Sequence, residues 1–188
     1  MKIIFLFLFL LTLFIPAVVP PELDRQEAQK AFVLLNKIRA NPAAFAEEMP
    51  FLAEIGKKPL LKWNDTLAAV AEAKALDMAT RQYMSHVDPE GYGMNHAINK
   101  AGYKLNVKWL TKKEMNYFES LSAGAPDGET AIRNLIIDKN VPSLGHRKHL
   151  LGLDDWNATL YDIGIGYARP VENSRFRSYV CVLIAKHD

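Results

Sequence analysis

Two histidines that lie far apart in the chain share a local context suited to a polar site. His86 comes shortly before Pro89, and His146 directly follows Gly145. Pro and Gly mark turns, and at the start or end of a helical segment a side chain can face a cleft instead of the core. Glu119 lies between the two histidines in sequence. These three residues predict one shared polar site, with imidazole and carboxylate as its reactive groups.

The segments that would position this site are mostly helical. Apolar residues recur at helical spacing in several stretches, and the clearest stretch begins after a capping Asn64 or Asp65 and ends just before His86. The capping and breaking signals set the bounds of the others. The predicted helices cover residues 24–40, 42–49, 65–84, 94–101 and 129–138, with a brief one ending at Leu151.

The last part of the chain changes its period from helical to strand-like. Residues 162–168 and 176–185 are rich in β-forming side chains, and the connection between them is long enough for an antiparallel pair. Residues 115–121 are the candidate for a third strand. Helices come first and strands come late, which predicts an α+β fold with a small sheet covered by helices.

The N-terminus predicts a targeting segment over residues 1–20. A short basic start is followed by the apolar run Ile3 to Ile15, which Pro16 ends. The run is short for a membrane span, which needs about 20 apolar residues. Residues 17–20 are a poor cleavage site, so a cleaved signal peptide and an uncleaved N-terminal anchor are both open. Either predicts a secreted or extracytoplasmic protein with one domain over residues 24–188.

Composition excludes several classes of partner. The net charge is +2, from 23 basic and 21 acidic residues spread along the chain. This even distribution argues against a nucleic-acid-binding protein, which would have a concentrated basic surface. Membrane contact is expected only through an uncleaved leader. Cys181 is the single cysteine, so no intrachain disulfide can form, and its apolar surroundings predict a buried small hydrophobe instead of a reactive thiol.

Several short motifs occur in an order that identifies a family. They are Met84-Ser85-His86 with Asp88-Pro89-Glu90-Gly91, Ala101-Gly102-Tyr103, Glu119-Ser120-Leu121-Ser122-Ala123-Gly124, the stretch from Ser143 to Leu151, and Ile163-Gly164-Ile165-Gly166. With them the chain resembles, from about Ala28 to Ile184, the CAP superfamily of cysteine-rich secretory, antigen 5 and pathogenesis-related proteins, and in particular its disulfide-poor bacterial-type members. The resemblance implies an α-β-α sandwich, with a three-stranded antiparallel sheet between helices and a cleft that holds two histidines and two acids.

The resemblance also assigns the site residues. His86, Glu119 and His146 match three of the family's cleft positions. The fourth position falls near the end of the helix before Pro142, where Asp138 is the only acid, and Glu129 at the start of that helix is the alternative. Aspartate is one methylene shorter than the family's usual glutamate. Two further departures flank Glu119: Phe118 replaces a glycine, and Ser120 replaces an asparagine.

Two functions follow from this set of residues. Imidazole and carboxylate both ligate zinc or a similar divalent ion, so the site could hold one; without a metal, the carboxylates would fix the histidine tautomers and the shape of the cleft. We expect a non-catalytic extracellular binding module whose ligand is a divalent metal, a lipid, another small ligand or a surface component. The alternative is a hydrolase or protease, either metal-assisted with Glu119 as general base or using a serine near the motifs.

The sequence gives other polar and aromatic residues plainer roles. His149 shares a helical face with His146 and is expected to be a partly exposed polar residue instead of a further ligand. Trp63, Trp109 and Trp156 are expected in the core or in the wall of the cleft, and Trp109 could line its entrance. Lys57-Lys58 and Lys112-Lys113 are expected to be solvated loops.

Overall fold

The computed structural model describes residues 19–187, and these form an α+β domain. Most of the predicted leader, residues 1–18, lies outside the described part. Among residues 19–187, no helix is both long enough and apolar enough to cross a membrane. The elements are β1 (Glu22–Leu23), α1 (Arg25–Ala40), β2 (Lys62–Trp63), α2 (Asp65–Arg81), α3 (Met94–Lys100), β3 (Glu119–Ala123), α4 (Gly128–Ile137), α5 (Gly145–Leu151), β4 (Asp162–Arg169) and β5 (Tyr179–Ala185).

Side-chain caps explain where the long helices begin. The side chains of Asp24, Asn64 and Asp127 accept a hydrogen bond from a backbone N–H in the first turn of α1, α2 and α4, respectively. Each cap satisfies a donor that the helix itself leaves unpaired. The α2 helix ends at Arg81, where Gln82 takes a left-handed conformation. The expectation that Asn64 or Asp65 starts the helix before His86 is thus confirmed for Asn64.

The helix expected over residues 42–49 is not an α-helix. The chain instead forms two short 3₁₀ segments, Pro42–Phe45 and Pro50–Glu54. Met49, between them, has an extended backbone with φ −134° and ψ 84°. A residue before proline is driven out of the helical region by the proline ring, so Pro50 interrupts the pattern that the apolar residues suggested.

The sheet confirms the predicted antiparallel arrangement. β5 pairs antiparallel with β4 on one side and with β3 on the other. The two-residue strands β1 and β2 both pair with β4, β1 antiparallel and β2 parallel. β3 begins at Glu119, whereas the third strand was expected to begin at residue 115. The backbone before Glu119 is hydrogen-bonded to Asn95 instead of to a strand. The Asn95 N–H donates to Met115 O, and the Tyr117 N–H donates to the Asn95 side chain.

Helices cover both faces of the sheet, which confirms the α-β-α sandwich. α2 packs on β4 and β5, while α4 and α5 contact β3, and α1 contacts α4 and β4. On the α2 face the backbones approach so closely that a Cβ atom on Gly164 would lie 2.1 Å from the nitrogen of Ala68. The hydrophobic core fills the space between these layers.

The register of the edge strand β3 decides which layer each of its side chains meets. Glu119 pairs with Leu183, and Leu183 pairs with Gly164, which faces α2. Because side chains alternate along a strand, Glu119 therefore points toward the α2 layer and Ser120 toward the layer of α4 and α5. His86 follows α2 and His146 lies in α5, so the two histidines approach β3 from opposite layers.

Candidate functional site

The first pair joins His86 to Glu119. His86 lies in the loop after α2, and its Nδ1 is 2.7 Å from Oε2 of Glu119 at the start of β3. The glutamate side chain is fully buried, whereas the imidazole is half-exposed. A buried carboxylate needs hydrogen-bond donors, and the imidazole N–H is one of them.

Two further side chains complete the surroundings of Glu119. The Asn116 amide Nδ2 donates to Oε2 over 2.8 Å, and the Cys181 thiol contacts Oε1 at 3.6 Å. Burial, and then the nearby Glu119 charge, raise the pKa of the Cys181 thiol well above its ordinary value, and the predicted burial of this cysteine is confirmed. No sequence motif marks Asn116, since its role depends on the turn before β3. Its Oδ1 is buried and has no hydrogen-bond partner among residues 19–187.

The second pair joins His146 to Asp138. Nδ1 of His146 is 2.7 Å from Oδ1 of Asp138, and the backbone N–H groups of His146 and Arg147 donate to Oδ2 over 3.0 and 3.2 Å. Asp138 is buried and caps the C-terminus of α4 in a left-handed conformation, with φ 52°. Glu129, the alternative for this position, instead forms an ion pair with Arg133 one helical turn away.

The two pairs have the same hydrogen-bond arrangement. A carboxylate only accepts, so Nδ1 of each imidazole carries the hydrogen and Nε2 keeps its lone pair. Among residues 19–187, no three or more His, Cys, Asp or Glu side chains are grouped closely enough to hold a metal ion together, so a cation shared by the two pairs would have only the two imidazoles as protein ligands. Glu119 and Asp138 therefore hydrogen-bond to the Nδ1 atoms of His86 and His146 and do not serve as two further ligands of the same ion.

A third histidine, His149, lies in α5 one helical turn after His146. The expectation that it is partly exposed is wrong, because only 6% of its surface is exposed. Its Nδ1 is 2.7 Å from the Ser120 hydroxyl, and its Nε2 is 3.4 Å from the carbonyl oxygen of Ile184. Because that carbonyl can only accept, Nε2 carries the hydrogen and Nδ1 accepts from Ser120. β3 thus contacts a histidine from each layer.

Burial determines the protonation state of His149. Burial is the main reason that the pKa of His149 falls from 6.5 to about 4; the hydrogen bond to the Ile184 carbonyl opposes this shift, and the nearby His146, Arg39 and His86 add to it. His149 is therefore neutral at pH 7. A helical spacing of three residues from His146 was the only sequence signal for this residue, and it did not show which side of α5 meets the sheet.

The serines do not complete a nucleophile–base pair with either histidine of the candidate site. Ser85 adjoins His86, but its Oγ accepts from the backbone N–H of Val87 at 3.2 Å. Ser120 is buried against His149. Within residues 19–187, no hydrogen bond joins a serine hydroxyl to the imidazole of His86 or His146, which is the contact that a serine hydrolase uses.

Aromatic residues adjoin the first pair. Phe118, directly before Glu119, is buried, and its ring centroid lies 5.4 Å from that of Trp109 and 5.9 Å from that of Trp156. The side chain that replaces the family's glycine is thus part of an aromatic cluster. Trp109, Tyr117 and Trp156 line a surface pocket of about 290 Å³.

An α-β-α sandwich with two His–carboxylate pairs beside an edge strand defines the class of this protein. The family model described as CAP, the cysteine-rich secretory protein family, matches residues 33–183. The chain therefore belongs to this family, which confirms the resemblance seen in its motifs. A search of curated proteins gives no significant match.

Solved structures share the fold at low sequence identity. An extracellular protein containing an SCP domain from Bacillus anthracis is 23% identical with a TM-score of 0.54, over 87% of this chain and 41% of that one. An outer surface protein from Borrelia burgdorferi is 15% identical with a TM-score of 0.55, over 88% of this chain and 98% of that one. The chain thus spans less than half the length of the Bacillus protein.

Proposed function

We propose that this protein is an extracytoplasmic CAP-domain binding module in which His86 and His146 bind a divalent cation, zinc or a similar ion, without catalytic turnover. The observation that carries the proposal is the shared arrangement of the two histidines. Each imidazole has a buried carboxylate on Nδ1, at 2.7 Å in both pairs. Metal-binding histidines commonly have such a partner, which fixes the tautomer and makes Nε2 more basic.

The donor set fits a weak, open metal site. Zinc takes four ligands, and the chain offers two imidazole nitrogens, while Glu119 and Asp138 are engaged with Nδ1. Water or donor atoms of a small ligand, lipid or surface component would fill the remaining positions. A bound cation would supply a Lewis-acidic anchor for such a ligand. The carboxylates hold each imidazole in place and keep its Nε2 free of hydrogen.

The hydrolase alternative is less well supported by the contacts of Glu119. A general base must reach a proton of the substrate or of a water molecule. The Glu119 side chain is fully buried, and its two oxygens already contact His86, Asn116 and Cys181. It is therefore a better positioning residue for His86 than a base. The buried Ser120 offers no accessible nucleophile in its place.

The location is proposed from two independent observations. The leader-like residues 1–20 predict export, as a cleaved signal peptide or as an anchor. The two structural relatives described above are named as an extracellular protein and an outer surface protein. A binding role outside the cytoplasm agrees with both.

A calorimetric titration with zinc tests the binding proposal. The double variant His86→Ala, His146→Ala should lose zinc uptake at micromolar concentrations, because both nitrogen ligands are removed. His96→Ala is the matched control, since His96 contacts the backbone oxygen of Lys112 and lies in neither pair. Undiminished uptake by the double variant would overturn the proposal. Peptide or ester hydrolysis that disappears in Glu119→Gln would favour the enzyme instead.

A further inference from the structure

A short turn near the site exposes an apolar side chain to water. Val107 belongs to the 3₁₀ segment Val107–Trp109, and 75% of its surface is exposed, more than for any other exposed large hydrophobic residue among residues 19–187. Exposed apolar residues are common when they are single, but a contiguous group indicates an interaction surface. Trp109 in the same turn connects Val107 to such a group.

Three aromatic rings continue the apolar surface from this turn. The centroid of Trp156 lies 5.3 Å from that of Trp109 and 6.3 Å from that of Tyr117. Tyr117 is 44% exposed and Trp156 is 37% exposed. Val107, Trp109, Tyr117 and Trp156 are called the aromatic patch below. Its rings are amphipathic, with an N–H or O–H group beside a large apolar face.

Two lysines, Lys108 and Lys186, border the aromatic patch. Segment 104–117 contains four lysines and one acid, Glu114. Lys108 lies in the exposed turn itself, and Lys186 places its ammonium 4.7 Å from the ring centroid of Trp156 and 5.7 Å from that of Trp109. Asp154 and Asp155 precede Trp156, so with Lys186 and segment 104–117 these parts of the chain carry five lysines and three acids. The expected solvated loop at Lys112 is therefore part of a basic surface.

We propose that the aromatic patch and its lysines bind the surface of an anionic phospholipid bilayer. Tryptophan and tyrosine favour the headgroup region, where the ring is partly buried and its polar group stays wet. Lysines near an anionic membrane are attracted by its surface potential. The exposed Val107 is the side chain that enters the acyl boundary. A soluble polyanion would engage the lysines but would leave Val107 in water, so the combination favours lipid.

This surface is separate from the metal proposal and from the leader. It uses neither histidine of the candidate site, so failure of zinc binding would leave it intact. The leader is apolar, and its own membrane binding would add to that of the patch. Membrane binding by the leader is the same for the parent chain and for each variant. It therefore cancels when the variants are compared with the parent on the same vesicles.

Vesicle co-sedimentation of the full chain tests the proposal. The probes are vesicles of phosphatidylcholine alone and of phosphatidylcholine with phosphatidylglycerol, at low and high salt. The parent chain should bind the anionic vesicles at least tenfold more tightly than the neutral ones, and high salt should remove the difference. Val107→Asp should weaken anionic binding about tenfold through lost apolar contact and added negative charge.

A charge variant tests the basic component independently. Lys108→Glu with Lys112→Glu should weaken binding to anionic vesicles by tenfold or more, because each lysine near such a surface contributes about fivefold. Both residues are exposed, as is Val107, so folding should be unaffected, and thermal melts can verify this.

The chain supplies a matched control in another basic loop. Lys57 and Lys58 precede Leu60, which is 57% exposed, and segment 55–61 itself contains no aromatic residue. Lys57→Glu with Leu60→Asp should bind as the parent does. Three results would each overturn the proposal: equal binding to neutral and anionic vesicles, unchanged binding by Val107→Asp, or an equal loss in the Leu60 control. An unchanged Val107 variant with a weakened lysine variant would instead indicate a soluble polyanion.

Discussion

Asp138 holds His146 through both its side chain and its backbone. One carboxylate oxygen binds Nδ1 at 2.7 Å, and the other accepts from the backbone N–H of His146 at 3.0 Å. The α5 helix has no side-chain cap of its own at Leu144. Asp138, at the end of α4, therefore supplies the cap for α5 and the partner for its histidine together. The short side chain suffices because the left-handed backbone at Asp138 brings it next to α5.

Asp138→Asn should separate these two roles. The amide oxygen can still accept from the backbone of α5, and asparagine tolerates the left-handed conformation. Its NH₂ group, however, would face Nδ1 of His146 and force the hydrogen onto Nε2. We expect zinc affinity to fall by about 10- to 100-fold, as for other outer-shell partners, with little change in melting temperature. Calorimetry and the ¹⁵N shifts of the imidazole measure the two effects.

Asp138→Ala serves as the comparison for that variant. Alanine removes the cap and is unfavourable in the left-handed region, so we expect a loss of about 2–3 kcal/mol in the free energy of unfolding. Denaturant unfolding measures this loss. Equal stability of the alanine and asparagine variants would show that the cap contributes nothing. Full zinc affinity in Asp138→Asn would show that the tautomer of His146 does not matter.

His149 should make the stability of the fold depend on pH. Burial lowers its pKa from 6.5 to about 4 in the folded protein. As the pH falls from 6.5 to 4, the unfolded chain takes up a proton at this residue and the folded protein does not. The free energy of unfolding should therefore be unaffected above pH 6.5 and fall by about 3 kcal/mol across this window, at 1.36 kcal/mol per pH unit.

A variant without a titrating group isolates this contribution. His149→Gln keeps a polar side chain between Ser120 and Ile184 but cannot take up a proton. Urea unfolding at several pH values should show that the parent loses more stability than the variant between pH 6.5 and 4. Burial alone would raise the pKa of Asp24, but its hydrogen bonds to the Glu27 backbone and to Arg169 lower it; the Thr130 backbone N–H lowers the pKa of Asp127. Both carboxylates lose their stabilising effect only as the pH falls below their ordinary value of 3.8, and they do so equally in the parent and the variant. Parallel curves would show that His149 is not buried in its neutral form.

Local signals predicted the elements better than the contacts between them. The capping residue Asn64 and the helical spacing of apolar residues predicted α2, and the change to strand-like spacing predicted β4 and β5. These signals succeed because caps and periodicity act within a few residues. Asp138 was found only through the family resemblance, since its left-handed backbone has no clear sequence signal. The burial of His149 and the role of Asn116 depend on how β3 meets α5 and the preceding turn, which no local pattern specifies.

Cys181 should be inert in the folded protein. Its thiol is fully buried in β5, and burial together with the Glu119 charge raises its pKa. The thiolate is the reactive form, so modification must await opening of the sheet. We expect no reaction with a disulfide reagent at pH 8 under native conditions, and complete reaction in denaturant. Rapid labelling of the native protein would show that the contact with Glu119 is open to solvent.

Gly164 should be a position at which a single methyl group strongly disturbs the sandwich. A Cβ there would lie 2.1 Å from the nitrogen of Ala68 and 2.2 Å from the carbonyl carbon of Leu67. Both are backbone atoms of α2, so the helix would have to move away from β4. Overpacking of a core costs about 1–3 kcal/mol when side chains can adjust, and here they cannot. We expect Gly164→Ala to lose about 3 kcal/mol or more.

Gly56→Ala provides the control for this substitution. A Cβ on Gly56 would have no atom within 4 Å, and its φ is not in the left-handed range. It should leave the stability unchanged or raise it by up to about 1 kcal/mol, because alanine restricts the unfolded chain. Thermal and denaturant unfolding compare the two variants directly. The displacement of α2 in Gly164→Ala should also separate His86 from Glu119, so zinc uptake should fall together with stability. A stable Gly164→Ala protein would contradict the close contact between α2 and β4.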